Sequence, residues 1–255
     1  MDYSLLTMSF GVGILIGLTS MGGAALMAPF LILVLGVKPV TAVGTDLVYG
    51  AVTKITGAWF HLRHGTVDLA VVKKLATGSL PGGILGSLLV ILLPRVTHQA
   101  EFYVQKAIGA LLVIVAVVLV VRMLLPTAAA SVSEKQLTFL RERGTVIWGA
   151  VVGFCVGATS VGSGSLLAPF LMMLYPSKST KVVGTDIVHA AALVSVTGFA
   201  HATSSGVQWQ LVPTLLAGSI PGVLLGSRLA LAIPPRPLRT VLAGLLLVTG
   251  YRLAM

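Results

Sequence analysis

The 255-residue chain is 56% hydrophobic and 9% charged, with a mean hydropathy of +1.01. A soluble domain carries about 25% charged residues, so this chain has too little charge to coat a water-facing surface, which argues against a soluble enzyme or a nucleic-acid binder. The net charge of +10, from 17 Lys+Arg against 7 Asp+Glu, therefore reads as a topology signal and as contact with anionic lipid.

In chain order, polar breaks mark eight apolar stretches, roughly 5–35, 41–62, 72–93, 101–125, 144–175, 181–202, 210–232 and 236–254. Residues Leu5 to Leu18 mimic a signal-peptide core. Met1-Asp2-Tyr3-Ser4 lacks the basic flank, however, and apolar sequence continues to Leu35, so the segment reads as retained. Most stretches have the roughly 20 residues that a membrane helix needs. Alternating ten-residue segments are absent and aromatic residues make up only 6%, which disfavours a membrane barrel. The first and fifth stretches are overlong. Each is interrupted by a polar patch, Gly17-Leu18-Thr19-Ser20-Met21-Gly22-Gly23 and Gly157-Ala158-Thr159-Ser160-Val161-Gly162-Ser163-Gly164. That leaves arms of about 14 residues, or about 21 Å, which reach near the bilayer centre without crossing comfortably.

Sliding the chain over itself by 140 positions aligns the two patches. Residues 17–94 and 157–234 share 29 identities in 78 positions without a gap. The chain is a duplication, expected as a first membrane repeat over 1–125, a cytoplasmic linker over 126–143 and a second membrane repeat over 144–255. If every long stretch crosses once, the repeats are parallel and the cationic residues, with the mid-stretch Lys54 set aside, divide eight against eight. If each long stretch turns back at its glycine patch, the repeats are inverted and the division is twelve against four. The positive-inside bias selects the second arrangement. The expected fold is thus an all-α integral membrane protein of two inverted repeats with about 8–10 helices in total. Each repeat holds a broken or re-entrant Gly-rich pair of short helices and three transmembrane helices.

Irregular backbone at membrane depth is tolerated where it lines a cavity or is buried in protein. Paired breaks near the midplane are one way in which secondary transporters build a substrate site. The expected substrate-binding residues are Thr19, Ser20, Gly22, Gly23, Thr159, Ser160, Gly162, Ser163 and Gly164, with Thr45, Thr185, Lys54, Ser79 and Ser219. Hydroxyls, glycine amides and helix N-termini at such a place favour an anion; packing alone is the competing role of the patches. Asp46 and Asp186, each after Gly-Thr, read either as helix caps and interfacial carboxylates or as proton-coupling groups, with His189 one turn beyond Asp186. Lys54 is either a counter-charge for an anion or a snorkelling cation. His61 and His201 read as interfacial caps, and Cys155 as a small packing residue. Gly78, Gly82 and Gly86, like Gly218, Gly222 and Gly226, form stripes for close helix packing, kinked by Pro81 and Pro221.

These residues together resemble the sulfite exporter TauE/SafE family: Gly-x-Thr-Ser-x-Gly, Ala-Pro-Phe-Leu, Val-Gly-Thr, a His and Gly-Ser-x-Pro-Gly, present in both halves. The resemblance implies transport of small sulfur-containing anions (sulfite, thiosulfate or organosulfonates) across a prokaryotic cytoplasmic membrane, with multi-pass location in the inner membrane. Asp46 and Asp186 depart from the serine that many members carry after Gly-Thr. Two acids beside an anion repel it unless they are protonated or turned away. The expected partners are a small anion and membrane lipid, without nucleic acid, cofactor or metal, and homo-oligomerisation is left open. The alternatives are a transporter of a non-sulfur organic anion, a membrane-embedded enzyme acting on a sulfur or lipid substrate through Asp46, Asp186 and His189, and a structural partner.

Overall fold

A computed structural model describes residues 3–19, 24–124, 139–175, 179–204, 206–230 and 235–255. Among these residues every regular element is helical. The helices are α1 (Tyr3–Thr19), α2 (Ala24–Leu33), α3 (Pro39–Arg63), α4 (Leu69–Val96) and α5 (Ala100–Leu124). A π-helical turn (Leu140–Gly144) then leads into α6 (Thr145–Thr159), followed by α7 (Ser163–Leu174), α8 (Ser179–Ala202), α9 (Leu211–Ala230) and α10 (Pro235–Ala254). The eight apolar stretches reappear as helices, and the two overlong ones each appear as two. The break at 20–23 and the linker residues 126–138 lie outside the described residues.

Local chemistry sets the helix starts. Pro39 occupies the first turn of α3, where its missing N–H is not needed, and the neighbouring Val40 amide donates to Glu101 Oε2 of α5 at 2.9 Å. Asp68 caps α4 by accepting from the Ala70 and Val71 amides. Pro81 and Pro221 lie inside α4 and α9, both of which continue through them.

The main helix contacts pair α1 with α9, α4 with α6, α3 with α8 and α5 with α10. Exchanging the halves maps this set onto itself. The glycine stripes show it atom by atom. A side chain at Gly78, Gly82 or Gly86 of α4 would strike the carbonyls of Val146, Ala150 and Phe154 on α6. At Gly218, Gly222 and Gly226 of α9 it would strike those of Leu6, Phe10 and Ile14 on α1, each 140 residues earlier. The stripes are therefore backbone-contact surfaces.

Contacts also sort the helix ends into two faces. On one, here the linker face, Asp68 after α3 donates its amide to Thr185 Oγ1 of α8 at 2.9 Å. On this same face Arg141 Nε, just before α6, donates to the Leu174 carbonyl at the end of α7 at 2.7 Å. Tyr175 Oη donates to the Arg141 carbonyl at 3.0 Å and also bonds Thr145. The outer ends of α6 and α7 thus meet, while their inner ends are joined through Ser160–Gly162. On the opposite face the Gln208 amide before α9 donates to Thr45 Oγ1 of α3 at 3.0 Å, and Lys106 Nζ of α5 donates to the Ala254 carbonyl of α10 at 2.5 Å.

Leu75, Ile108, Leu112, Leu167, Leu193 and Leu246 are fully buried between these pairs. The outer surface remains apolar, with Leu85, Leu224, Phe199 and Val241 more than half exposed. Such a surface fits lipid and not water. Three helical segments, Leu69–Val96, Ala100–Val121 and Thr180–Ala202, are long and apolar enough to cross a bilayer. The chain is an all-α membrane protein. Helix α3 is equally long, but Asp46 and Lys54 lower its hydropathy, and those two side chains are buried inside.

Candidate functional site

The break of the second half has the geometry that its composition demands. Thr159 Oγ1 donates to the Cys155 carbonyl at 2.7 Å and accepts from the Val161 amide at 3.2 Å, a local cap that occupies the hydroxyl. The chain then reverses through two left-handed residues, Ser160 at φ 61° and Gly162 at φ 114°. A serine at positive φ is strained by about 1 kcal/mol, and tertiary contact holds it there. Ser160 Oγ donates to Asp46 Oδ2 at 2.6 Å, with both groups buried. Three residues on, Ser163 opens α7 and accepts from Lys54 Nζ at 2.6 Å.

Two side chains of α3 therefore grip the turn of the other half. Asp46 and Lys54 are eight residues apart, so both reach the same neighbour from adjacent sides of the helix. Asp186 of α8 is also buried, and Lys54 lies within electrostatic reach of both carboxylates. Neither forms a direct ion pair with it; the ion pair found among the described residues joins Lys181 Nζ to Asp68 Oδ2 at 3.3 Å on the linker face. Oδ1 of Asp46 and Oδ1 of Asp186 have no hydrogen-bond partner.

Flanking this cluster is a matched pair of cross-half bonds. Tyr49 Oη donates to Ser219 Oγ at 2.8 Å. At the equivalent positions, His189 Nε2 and Ser79 Oγ are 2.6 Å apart. The four groups are buried. Ser79 and Ser219 thus face buried partners on the long helices α8 and α3 of the opposite repeats.

Thr45 and Thr185 stand elsewhere. Each donates to the carbonyl four residues back, Thr41 at 2.8 Å and Lys181 at 2.7 Å. Each also accepts the amide of a loop from the other half, which commits both hydroxyls to anchoring the loops. Asp46 and Asp186 sit well inside their helices, buried, and do not cap them. Gly164 is buried at the start of α7. The backbone of Thr19 ends α1, while Ser20, Gly22 and Gly23 lie outside the described residues. Cys155 is free and packs against the core. His201 is fully buried and His61 is partly buried. Their repeated position was visible in the sequence; their difference in depth was not.

The described residues contain no cluster of three or more metal-ligating side chains. What converges is one ammonium, two carboxylates, two serine hydroxyls and the N-terminal end of a 12-residue helix. Cations are disfavoured at a helix N-terminus by about 0.3–1 kcal/mol. Lys54 beside Ser163 therefore needs negative charge close by, from the two carboxylates or from a bound anion.

A family model described as sulfite exporter TauE/SafE matches residues 5–253. The probable membrane transporter protein YjnA of Bacillus subtilis (strain 168) is 42% identical over 254 residues, covering 99% of this chain and all of the relative. The probable membrane transporter protein YdhB of the same organism is 25% identical over 251 residues, covering 96% and 99%. A probable membrane transporter protein of Sinorhizobium fredii is 29% identical over 224 residues, covering 86% and 83%. No solved structure matches the chain.

Proposed function

The chain belongs to the sulfite exporter TauE/SafE family and is a membrane transporter, not an enzyme, and from that premise we propose that it moves a small sulfur oxyanion, accompanied by protons, through the Lys54–Asp46–Asp186 cluster. The substrate class is sulfite, thiosulfate or an organosulfonate, and the setting is a cytoplasmic (inner) membrane crossed several times. The observation that carries the proposal is Lys54 held against the first turn of α7 by Ser163. An ammonium at the positive end of a helix forms, with the Ser160 and Ser163 hydroxyls and free backbone amides, a donor-rich seat for an oxyanion.

The two carboxylates supply the coupling. With Asp46 and Asp186 both ionised, the cluster already holds two negative charges against one positive, and an anion is repelled. Protonating one leaves Lys54 balanced; protonating both leaves it needing an anion. Anion binding and carboxylate protonation therefore favour each other by linkage. Ser160 has a part in this, because its hydroxyl is the present partner of Asp46.

Alternating access follows if the repeats are inverted in the membrane. Supporting this reading, α6 and α7 meet at the linker face at their outer ends, and the twelve-to-four division of cationic residues favours a cytoplasmic linker face. The pairs Tyr49–Ser219 and His189–Ser79 then tie the halves together on either side of the cluster and exchange as the halves rock.

Reconstituted protein loaded with labelled sulfite, thiosulfate or taurine tests the proposal. One of these solutes should cross in a proton-dependent way, and Lys54→Gln should lower its flux about 10- to 100-fold, the scale of a lost charge-assisted bond. Flux of a carboxylate in place of all three would transfer the site to a non-sulfur organic anion. Unchanged sulfur-anion flux in Lys54→Gln would refute the site.

A further inference from the structure

The proposed mechanism requires protons to reach a buried cluster, and one buried histidine is built for their arrival. His201 ends α8 on the opposite face and is fully buried. Its Nε2 lies 3.4 Å from the Gly157 carbonyl. A carbonyl only accepts, so Nε2 carries the proton and Nδ1 is left as a lone-pair acceptor. That Nδ1 has no partner. The equivalent histidine, His61, has one: its Nδ1 is 2.8 Å from Thr66 Oγ1. The residue matching Thr66 is Gly206, whose missing Cβ would sit 3.5 Å from His201 Nδ1. Duplication supplied the histidine twice, and Nδ1 has a hydroxyl beside it in the His61 copy alone.

The place is adjacent to the cluster. Gly157 and Ser160 are one helical turn apart at the end of α6, so His201 and Asp46 border the same turn. The groups facing His201 are Gly157 from α6, Gly44 from α3, and Ser204 and Gly206 from the loop that follows it. Asp46, two residues beyond Gly44, is the acid nearest along α3.

We propose that His201 is the proton port on the opposite face: a hydronium ion arriving from that side gives its proton to Nδ1, leaving water and an imidazolium, which discharges to Asp46. This rests on the proton-coupled reading above. It adds a residue that contacts the transported proton.

Three measurements on reconstituted full-length protein test it. Gly206→Thr places a hydroxyl against Nδ1; proton-coupled flux should fall about tenfold, the effect of one hydrogen bond, while the melting temperature is kept or raised. His201→Gln should lower flux further and flatten its dependence on pH at the opposite face. Diethyl pyrocarbonate added on that side during turnover, when that face opens, should modify the otherwise buried His201 in the unaltered protein, read by mass spectrometry, and do so more slowly in Gly206→Thr. Unaltered flux and pH dependence in both variants would overturn the port while leaving the transport reading intact, as would a Gly206→Thr protein that melts well below the parent. Modification of His201 without any sulfur-anion flux would have the reverse meaning, sparing the port and removing the substrate assignment.

Discussion

The two halves agree along the glycine stripes and at the loop anchors and differ at several of the buried polar side chains between them. Glycines 78, 82 and 86 press on α6 as glycines 218, 222 and 226 press on α1, and Thr45 and Thr185 anchor matching loops. At the centre the match fails. Lys54 on α3 corresponds to Val194 on α8 and Tyr49 to His189, and in the loops at the two faces Thr66 corresponds to Gly206. Close packing allows few residues, so the scaffold kept both copies alike; a cluster at a pseudo-symmetric centre needs only one lysine, and a second would double a buried charge with no added partner. The lesson is that the duplication built the frame and divergence built the chemistry.

The largest expected effect strikes the shared frame. Gly82→Leu and Gly222→Leu each drive a side chain into a facing carbonyl, of Ala150 and Phe10, and each should cost about 3 kcal/mol or more. Thermal melting in detergent should show similar losses in the two variants. A large loss in one and none in the other would break the equivalence of the halves.

The next test moves the charge. Lys54→Val combined with Val194→Lys puts the ammonium on the other repeat, for which the sequence has Gly23 at the position of Ser163. Flux should not return, because the matching hydroxyl is missing. Recovery would show that either repeat can host the lysine and would narrow the difference drawn above.

A smaller effect concerns the strained turn. Ser160→Ala removes the donor to Asp46 and keeps the left-handed backbone, and should cost about 1–3 kcal/mol. Ser160→Gly loses the same bond but relieves the backbone, and should be the milder change by about 1 kcal/mol. Equal melting temperatures would mean that Ser160 stores no strain.

The smallest effect is expected at Lys181. Its ion pair with Asp68 is partly exposed, 44% and 34% at the two side chains, so Lys181→Met should cost less than about 1 kcal/mol after solvent screening. The corresponding positions Thr41 and Gln208 are uncharged, so this contact is private to the linker face. A flux change larger than the stability change would mark it as a latch on that face.

Much of the frame was legible in the chain itself. Apolar length, the glycine patches and the 140-residue offset foretold the helices, the break at 160–162 and the stripes, because membrane insertion and close packing write directly into composition and spacing. The site was legible only in part. Lys54, Asp46 and Ser160 stood out as polar groups inside apolar stretches, but nothing along the chain joined Ser160 to Asp46 across 114 positions. Thr45 and Thr185 looked like their equals in the motif, and folding turned both hydroxyls to loop anchoring.

What the sequence determined alone, then, is which segments lie in the membrane, where they break and that they come twice, since each follows from local hydropathy and from residues without side chains. The tertiary structure alone decided which polar groups meet. Pairing depends on how each helix is rotated and how far it is displaced along its neighbour, and the backbone contacts at the glycines set both.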